Sequence, residues 1–266
     1  MVDFAGIMPH QAALSVLFGT LIGLLLGLVG GGGSILTVPI LVYVIGLEVQ
    51  AATATSLAIV GASALAGALP HARAGRVNVR VAVAFGLFGI AGAFAGTWLS
   101  HQVSSAWILL LFGLMMVAVA GRMWMRRPSP PSEAGSHETR VGWKAPIAGL
   151  TVGVLTGFFG VGGGFLIVPA LVLALDLPVA MAVGTSLVII AFNSATGIAA
   201  HVGSGGLDLA VAAMFIVGGL AGGVLGGRLS GRADERMLAR AFSVLVALVG
   251  VYLVVRNGMA IVSGQA

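Results

Sequence analysis

The chain lacks cysteine altogether and carries little charge of either sign. Without cysteine it can form neither disulfides nor thiolate metal sites, and no cofactor or metal is expected. Only 8% of its 266 residues are Asp, Glu, Lys or Arg, whereas soluble domains carry about 25%. This shortage of charge excludes an ordinary water-soluble fold.

Apolar residues take the place of the missing charge. They make up 59% of the chain, and the mean hydropathy is +1.11. Runs such as 12–29, 81–99 and 106–121 approach the ~20 residues that a membrane-spanning helix needs. We therefore predict an all-α, polytopic transmembrane protein. The basic residues flank these runs, which indicates membrane topology rather than nucleic-acid binding. The N-terminus lacks the basic region of a cleavable signal peptide, so the first segment should be retained.

The two halves of the chain repeat each other. Residues 19–99 align without a gap with residues 149–229, displaced by 130 positions. Matched pairs that apolar composition does not explain include Pro39/Pro169, Thr55/Thr185, Ser56/Ser186 and His71/His201. We predict a first transmembrane repeat at 1–124, a polar linker at 125–143 and a second repeat at 144–266. Each repeat contains five apolar segments, predicted near 12–29, 34–47, 50–70, 81–99 and 106–124, and near 145–160, 164–176, 179–200, 209–228 and 238–256.

The Lys and Arg residues predict that the repeats are inverted. In the first half they follow the third segment, whereas in the second half they surround the connection between the fourth and fifth segments. The positive-inside rule places both regions, and the linker, in the cytoplasm. Each repeat then crosses an odd number of times, and both termini are periplasmic. The first two segments of a repeat either both cross or form a re-entrant hairpin, and charge counting fits both alternatives.

Each repeat places a run of glycines and then a proline inside an apolar stretch. The two elements are "GLVGGGGSILTVP" at 27–39 and "GFFGVGGGFLIVP" at 157–169. Glycine weakens a helix by about 1 kcal/mol and proline by about 3, so we interpret these elements, with Pro39 and Pro169, as helix breaks. Broken helices at matching positions of inverted repeats are typical of secondary transporters, which bind substrate near the midplane. The free N–H groups at such helix starts favour an anion.

Side-chain chemistry agrees with an anion held by the backbone. All eight carboxylates and all thirteen basic residues fall in predicted loops or at segment ends, so neither a cation cage nor an arginine clamp is available. Polar groups cluster instead on the third segment of each half, where Asn193 is costly to bury. The hydroxyls of Ser56 and Ser186 could instead bond to their own helix, and the glycines of the fourth segments should serve packing. His71 and His201 suit a helix end, or else proton coupling or gating.

The repeated element and the following "ATS" (54–56) or "GTS" (184–186) resemble the sulfite exporter TauE/SafE family. The resemblance covers nearly the whole chain. It implies a permease for small sulfur-containing anions, such as sulfite or organosulfonates, commonly acting outward across the bacterial inner membrane. The first copy departs from the second by having Ser34 where the second has Gly164. The predicted substrate-binding residues are Gly30, Gly31, Gly32, Gly33, Ser34, Thr55, Ser56, Gly160, Gly162, Gly163, Gly164, Thr185, Ser186 and Asn193.

Two other functions remain open from the sequence. One is an anion channel with the same backbone site, and the other is a membrane-embedded enzyme that uses His71 and His201. The enzyme is the weaker alternative because the two histidines should face opposite sides of the membrane without a carboxylate or thiol beside them. ATP hydrolysis is not indicated, since the first glycine run lacks the lysine of a P-loop.

Overall fold

The computed structural model describes residues 9–100, 102–103, 105–125, 143–159, 164–201, 208–230 and 234–262. Every regular element in this part of the chain is helical. The helices are α1 (Pro9–Val29), α2 (Ser34–Ile40), α3 (Val49–Arg73), α4 (Val79–Ser100), α5 (Ser105–Met125), α6 (Lys144–Phe159), α7 (Gly164–Leu173), α8 (Val179–His201), α9 (Leu209–Ser230) and α10 (Glu235–Val262). A 3₁₀ turn (Gly31–Gly33) precedes α2, and a π-helical turn (Leu41–Ile45) follows it.

The helix lengths confirm a multi-pass membrane protein. Within the described ranges, α1, α3, α4, α5, α8 and α9 are long and apolar enough to cross a membrane. The exposed side chains are largely apolar, and they include Trp98, Trp107, Trp124 and Trp143. These tryptophans lie close to the ends of α4, α5 and α6, the depth at which tryptophan prefers to sit in a bilayer.

The chain divides into two compact units, and each unit takes helices from both halves of the sequence. The first unit is formed by α1 to α3 with α8 and α9, and the second by α4 to α7 with α10. In the first unit, α1 and α9 run parallel, with their backbones nearly touching. A Cβ at Gly23 would overlap the carbonyl of Gly219, and a Cβ at Gly222 would overlap that of Thr20.

In the second unit, α4 and α6 pack in the corresponding way. We call each of these contacts, in which glycines bring two helix backbones together, a seam. A Cβ at Gly153 would overlap the carbonyl of Gly89, and one at Gly92 would overlap that of Leu150. These pairs are the α1–α9 pairs displaced by 130 residues. The prediction that the glycines of the fourth segments serve helix packing is thereby confirmed.

The equivalent helices α3 and α8 cross each other in opposite directions inside the first unit. A Cβ at Gly67 would lie 3.3 Å from Leu187, and a Cβ at Gly197 would lie 3.0 Å from Leu57. Between these contacts, a Cβ at Gly61 would lie 2.8 Å from Ser194. The contacts are reciprocal, because Leu57 and Gly67 correspond in the repeat to Leu187 and Gly197.

All arginines described in the first unit lie at one end of it. Arg73 closes α3, Arg76 follows it, Arg80 opens α4 and Arg228 is in the last turn of α9. That end is also where α8 begins, because α8 runs opposite to α3. Below, we call it the arginine end of the unit.

Candidate functional site

The first helix break lies at Gly30. Its φ of 79° and ψ of −126° belong to a region that side chains rarely adopt. The Gly30 N–H still bonds to the Leu26 carbonyl at 2.8 Å, so α1 is regular up to this residue. The chain then turns back on α1, because a Cβ at Gly33 would lie 2.6 Å from the Ile22 carbonyl oxygen. The result is a helical hairpin whose second arm starts beside the last turns of the first.

The return arm is short and ends in a wide turn. Residues 34–45 span about 18 Å at 1.5 Å per residue, less than the ~30 Å of a bilayer core. Pro39 lies inside α2 rather than at its start, and Pro169 likewise lies inside α7. Both prolines therefore lie within the short helices that follow the glycine runs, and their role as helix breaks stays a prediction. The glycines make the first break, and beyond Pro39, which removes one N–H, the helix widens into the π turn.

The hydroxyls at the first break bond to the backbone. Ser34 Oγ donates to the Gly31 carbonyl at 2.6 Å, and Thr37 Oγ1 donates to the Gly33 carbonyl at 3.2 Å. The Gly31 carbonyl also accepts the Ser34 backbone N–H, so the serine hydroxyl and N–H both bond within the turn. The donors that the break can offer a ligand are consequently backbone N–H groups rather than the Ser34 hydroxyl.

The second break is described at its two edges, and the predicted residues Gly160, Gly162 and Gly163 fall outside the described residues. Gly164 is buried and opens α7. Phe159, at the end of α6, and Phe165, at the start of α7, both contact Phe112 of α5. The distances between ring centroids are 5.1 Å for Phe159 and 5.2 Å for Phe165. The end of α6 and the start of α7 therefore lie close together, as the two sides of the first break do.

Ser56 and Ser186 make identical internal bonds. Ser56 Oγ donates to the Thr53 carbonyl at 2.7 Å, and Ser186 Oγ donates to the Val183 carbonyl at 2.8 Å. Both side chains are buried. Of the two roles considered from the sequence, this geometry favours bonding to their own helix. As substrate ligands they stay a prediction.

Thr55 and Thr185 each accept a hydrogen bond from the other half of the chain. Thr55 Oγ1 accepts from the Asp208 N–H at 3.1 Å, and Thr185 Oγ1 accepts from the Asn78 N–H at 3.0 Å. Both threonines have no exposed surface. Sequence reasoning missed Asn78 and Asp208, although their alignment at a displacement of 130 residues could have identified them as a pair.

Four buried side-chain atoms among the described residues have no hydrogen-bond partner, and all four belong to the first unit. They are Ser63 Oγ, His71 Nδ1, Asn193 Oδ1 and Ser230 Oγ. Ser63 and Asn193 are equivalent in the repeat, and each lies near the middle of its helix. Ser63 packs directly against Gly219, so its hydroxyl is enclosed by α9. Asn193 is only half-buried, which keeps its amide the better candidate for a ligand.

His71 joins the end of α3 to the end of α1. Its Nε2 lies 3.2 Å from the Gly27 carbonyl, one of the carbonyls that precede the Gly30 break. Because a carbonyl only accepts, Nε2 carries the proton in this contact, and the neutral ring then presents a lone pair at Nδ1. His201 is the last residue of α8, and its side chain is not among those described. A role of either histidine in gating or proton coupling stays a prediction.

Comparison with known proteins identifies the family. The family model described as "Sulfite exporter TauE/SafE" matches residues 15–253. The chain belongs to the sulfite exporter TauE/SafE family. The match includes both glycine-rich elements and both of the antiparallel helices α3 and α8. The protein is therefore a membrane transporter, and the enzymatic alternative is set aside.

Relatives of this TauE/SafE protein carry the same general description. A "Probable membrane transporter protein" of Xylella fastidiosa (strain 9a5c) is 39% identical over 250 residues, covering 92% of this chain and 95% of the relative. YdhB of Bacillus subtilis, also named a probable membrane transporter protein, is 26% identical, covering 90% and 99%. MJ0441 of Methanocaldococcus jannaschii, named likewise, is 29% identical, covering 71% of each chain. No solved structure matches the chain significantly.

Proposed function

We propose that this TauE/SafE protein is a secondary transporter that exports small sulfur-containing anions, such as sulfite or organosulfonates, across the bacterial inner membrane. The observation that carries the proposal is the reversal of the chain at Gly30, in a family of membrane transporters. A helix that starts inside the membrane, as α2 does, leaves N–H groups that need partners, and such N–H groups are suitable partners for an anion.

The turn that follows Gly30 returns the start of α2 to a depth that supports a site near the middle of the membrane. Gly33 lies beside Ile22 and Leu26 of α1. Gly23, next to Ile22 in the chain, packs on Gly219 of α9, and Gly219 also contacts Ser63 of α3. Ser63 is next to the centre of the span Ala51–Arg73. The start of α2 is therefore at about half the height of α3.

The contacts of the first unit support inverted repeats. The equivalent helices α3 and α8 run in opposite directions, and their contacts are reciprocal about a point midway between Leu57 and Gly67. Such reciprocity is expected of a pseudo-two-fold axis in the membrane plane. By the positive-inside rule we assign the arginine end of the unit to the cytoplasmic side, and both termini would then be periplasmic.

The distribution of charge supports an anion bound without a fixed counter-charge. In the described parts of α1, α2, α3, α8 and α9, charged residues occur only in the last turns, at Arg73 and Arg228. Within the described residues, no group of three His, Cys, Asp or Glu side chains could hold a metal ion. Within the first unit, selectivity would come from the N–H groups of Gly31–Gly33 and the Asn193 amide. The N–H groups at the start of α7, at Gly164, would form the corresponding half-site of the second unit.

A thermal-shift screen of the purified protein tests the substrate class. Sulfite, sulfate, thiosulfate, taurine, sulfoacetate and acetate are compared at equal ionic strength, since a ligand of the folded state raises the melting temperature by mass action. We expect a shift with sulfite or an organosulfonate and none with acetate. A shift with cations alone would overturn the proposal.

Counterflow of the labelled anion in proteoliposomes then tests the transport mode. Saturable counterflow supports a carrier, whereas conductance far above carrier turnover would support the anion channel instead. Repeating the measurement with and without a pH gradient separates passive export from proton-coupled export. Loss of a pH effect in both His71→Gln and His201→Gln would support coupling through these histidines.

A further inference from the structure

The hydrogen bonds of Thr55 and Thr185 form two equivalent links between the halves of the chain. In each, a threonine in the first turns of α3 or α8 accepts from the residue that precedes α9 or α4. We call Thr185 with Asn78 the arginine-end clasp, because Asn78 follows Arg76, and Thr55 with Asp208 the opposite clasp. The two clasps are equivalent in the repeat, because Thr55 aligns with Thr185 and Asn78 aligns with Asp208.

The two clasps lie at different heights, on either side of the membrane centre. Because Gly67 meets Leu187 and Leu57 meets Gly197, Thr185 lies at about the level of residue 69 of α3. Thr55 is then about 14 residues away, or about 21 Å at 1.5 Å per residue. Asn193 lies between them, close to the level of residue 61. The clasps thus bracket the half-buried amide predicted to contact substrate.

Each clasp holds the start of a helix in place. Asn78 Oδ1 accepts from the Val81 N–H at 3.1 Å and so caps α4. Asp208 Oδ1 accepts from the N–H groups of Ala210 and Val211, at 3.1 and 3.0 Å, and caps α9. The backbone N–H of each capping residue precedes the helix and has no helical partner. The threonine hydroxyl supplies that partner.

The arginine-end clasp also involves the first break. Gly184, next to Thr185, has no room for a Cβ, because the carbonyl of Arg76 and the Cβ of His71 occupy that space. His71 in turn bonds to Gly27, three residues before the chain reverses. A movement of Asn78 away from Thr185 would therefore act on the last turn of α1.

We propose that the two clasps are the gates of the transporter and that they open one at a time, with Thr55 and Thr185 as positioning residues. The inference rests on the transporter function and on the repeat, and it is independent of the substrate. One hydrogen bond contributes about 0.5–1.5 kcal/mol net, so a clasp can open during turnover. The glycine seams, in which backbone meets backbone, cannot separate so easily. Opening one clasp while the other stays closed exposes Asn193, which lies between them, to one side only.

The absence of cysteine makes a direct test possible. The pair Thr185→Cys with Asn78→Cys closes the arginine-end clasp on oxidation, and Thr55→Cys with Asp208→Cys closes the opposite one. Asn193→Cys serves as a reporter between them, alkylated by a membrane-impermeant maleimide added from either side of sealed vesicles. The readout needs no substrate, so it stands even if the sulfur-anion proposal fails.

We expect closure of the arginine-end clasp to remove alkylation from that side and to preserve or raise it from the other side. Closure of the opposite clasp should give the converse, and reduction should restore both. Proteins with one cysteine of each pair, oxidised in parallel, control for the oxidant. Alkylation that is unchanged from both sides after complete cross-linking would overturn the proposal.

Removing a hydroxyl without cross-linking provides the second test. Thr185→Val keeps the shape and deletes the acceptor, and it should raise alkylation from the arginine end about 2- to 10-fold, the factor corresponding to one hydrogen bond. Thr55→Val should do the same from the opposite side, and the two serine variants should restore the original pattern. A fall in melting temperature with equal changes from both sides would mean that the threonines only brace the fold.

Discussion

Replacing Gly30 with alanine tests whether the first break is required for transport. At φ 79° and ψ −126°, an alanine is strained by about 1–3 kcal/mol, and the residue is buried. To relieve this strain, the backbone would rotate and move the N–H groups of the following turn. If this strain of about 1–3 kcal/mol raises the free energy of the rate-limiting transition state of transport by the same amount, the transport rate falls about 5- to 150-fold.

Gly46 offers a matched control for Gly30→Ala. It also has a positive φ, of 86°, but with ψ 21° it lies in the left-handed region, it is exposed, and a Cβ added there would have no other atom within 4 Å. Gly46→Ala should cost about 1–2 kcal/mol, so both variants lose stability. Only Gly30→Ala should lose transport beyond what the folded fraction explains.

The assay combines counterflow in proteoliposomes with thermal unfolding of the same preparations. Transport is divided by the amount of folded protein, so that loss of stability and loss of function are read separately. If Gly30→Ala transports within twofold of the unmodified protein, the break does not need its observed conformation. If Gly46→Ala loses as much transport as Gly30→Ala, backbone strain anywhere in the hairpin is sufficient, and the site would lose its special status.

Three further outcomes are expected. Gly23→Ala should lower the free energy of unfolding by about 1–3 kcal/mol because its Cβ meets a carbonyl of α9, whereas Gly121→Ala, with no atom within 4 Å, should be neutral or stabilising; equal melting temperatures would contradict the seam. Ser56→Ala should change transport less than threefold, since its hydroxyl bonds to its own helix; a loss above tenfold would restore it as a ligand. His71→Leu should destabilise the end of α1 by leaving a carbonyl unpaired, at about 1–3 kcal/mol, and His71→Gln, which can still donate, should recover most of it; no difference between the two would exclude the hydrogen bond as the cause.

The helix boundaries could be predicted closely because the bilayer fixes them. An apolar run must continue until the chain reaches water, so the predicted segment 81–99 became Val79–Ser100 and 106–124 became Ser105–Met125. The last helix was less well predicted. It extends over Glu235–Val262, because Arg240 and Arg256 can lie in a helix whose ends reach the membrane surface.

The position of the first break depends on backbone geometry that composition does not reveal. Gly30 to Gly33 and Pro39 all weaken a helix on average, yet the chain reverses at Gly30 and passes through Pro39 within α2. Gly33 is required for a different reason, namely the close approach of Ile22. Only the three-dimensional hairpin separates these roles.

The roles of Thr55 and Thr185 could not be read from either repeat alone. Each hydroxyl is bonded to a residue 107 or 153 positions away, and a search within one repeat sees only a threonine beside a serine. The exchange of helices between halves to form each unit is equally invisible in the order of segments. The exchange leaves one trace in the sequence. Glycines occur on both the first and the fourth segments, as close packing between these segments requires.

The contrast between seams and clasps indicates which parts of the first unit move together. In the α1–α9 seam, a carbonyl of one helix occupies the place of a Cβ on the other at Gly19, Gly23 and Gly27. Rotation of α1 against α9 would drive side chains into these carbonyls, so the two helices should move as one body. The Gly30 break is continuous with α1, and Asp208 is continuous with α9. The same α9 meets α3 backbone to backbone at Gly223 and Gly227, about 22–28 Å along the helix from Asp208 at 1.5 Å per residue. Opening of the opposite clasp is therefore confined to the end of α9 that carries Asp208, and the Gly30 break, beside the packed end of α1, should stay in place.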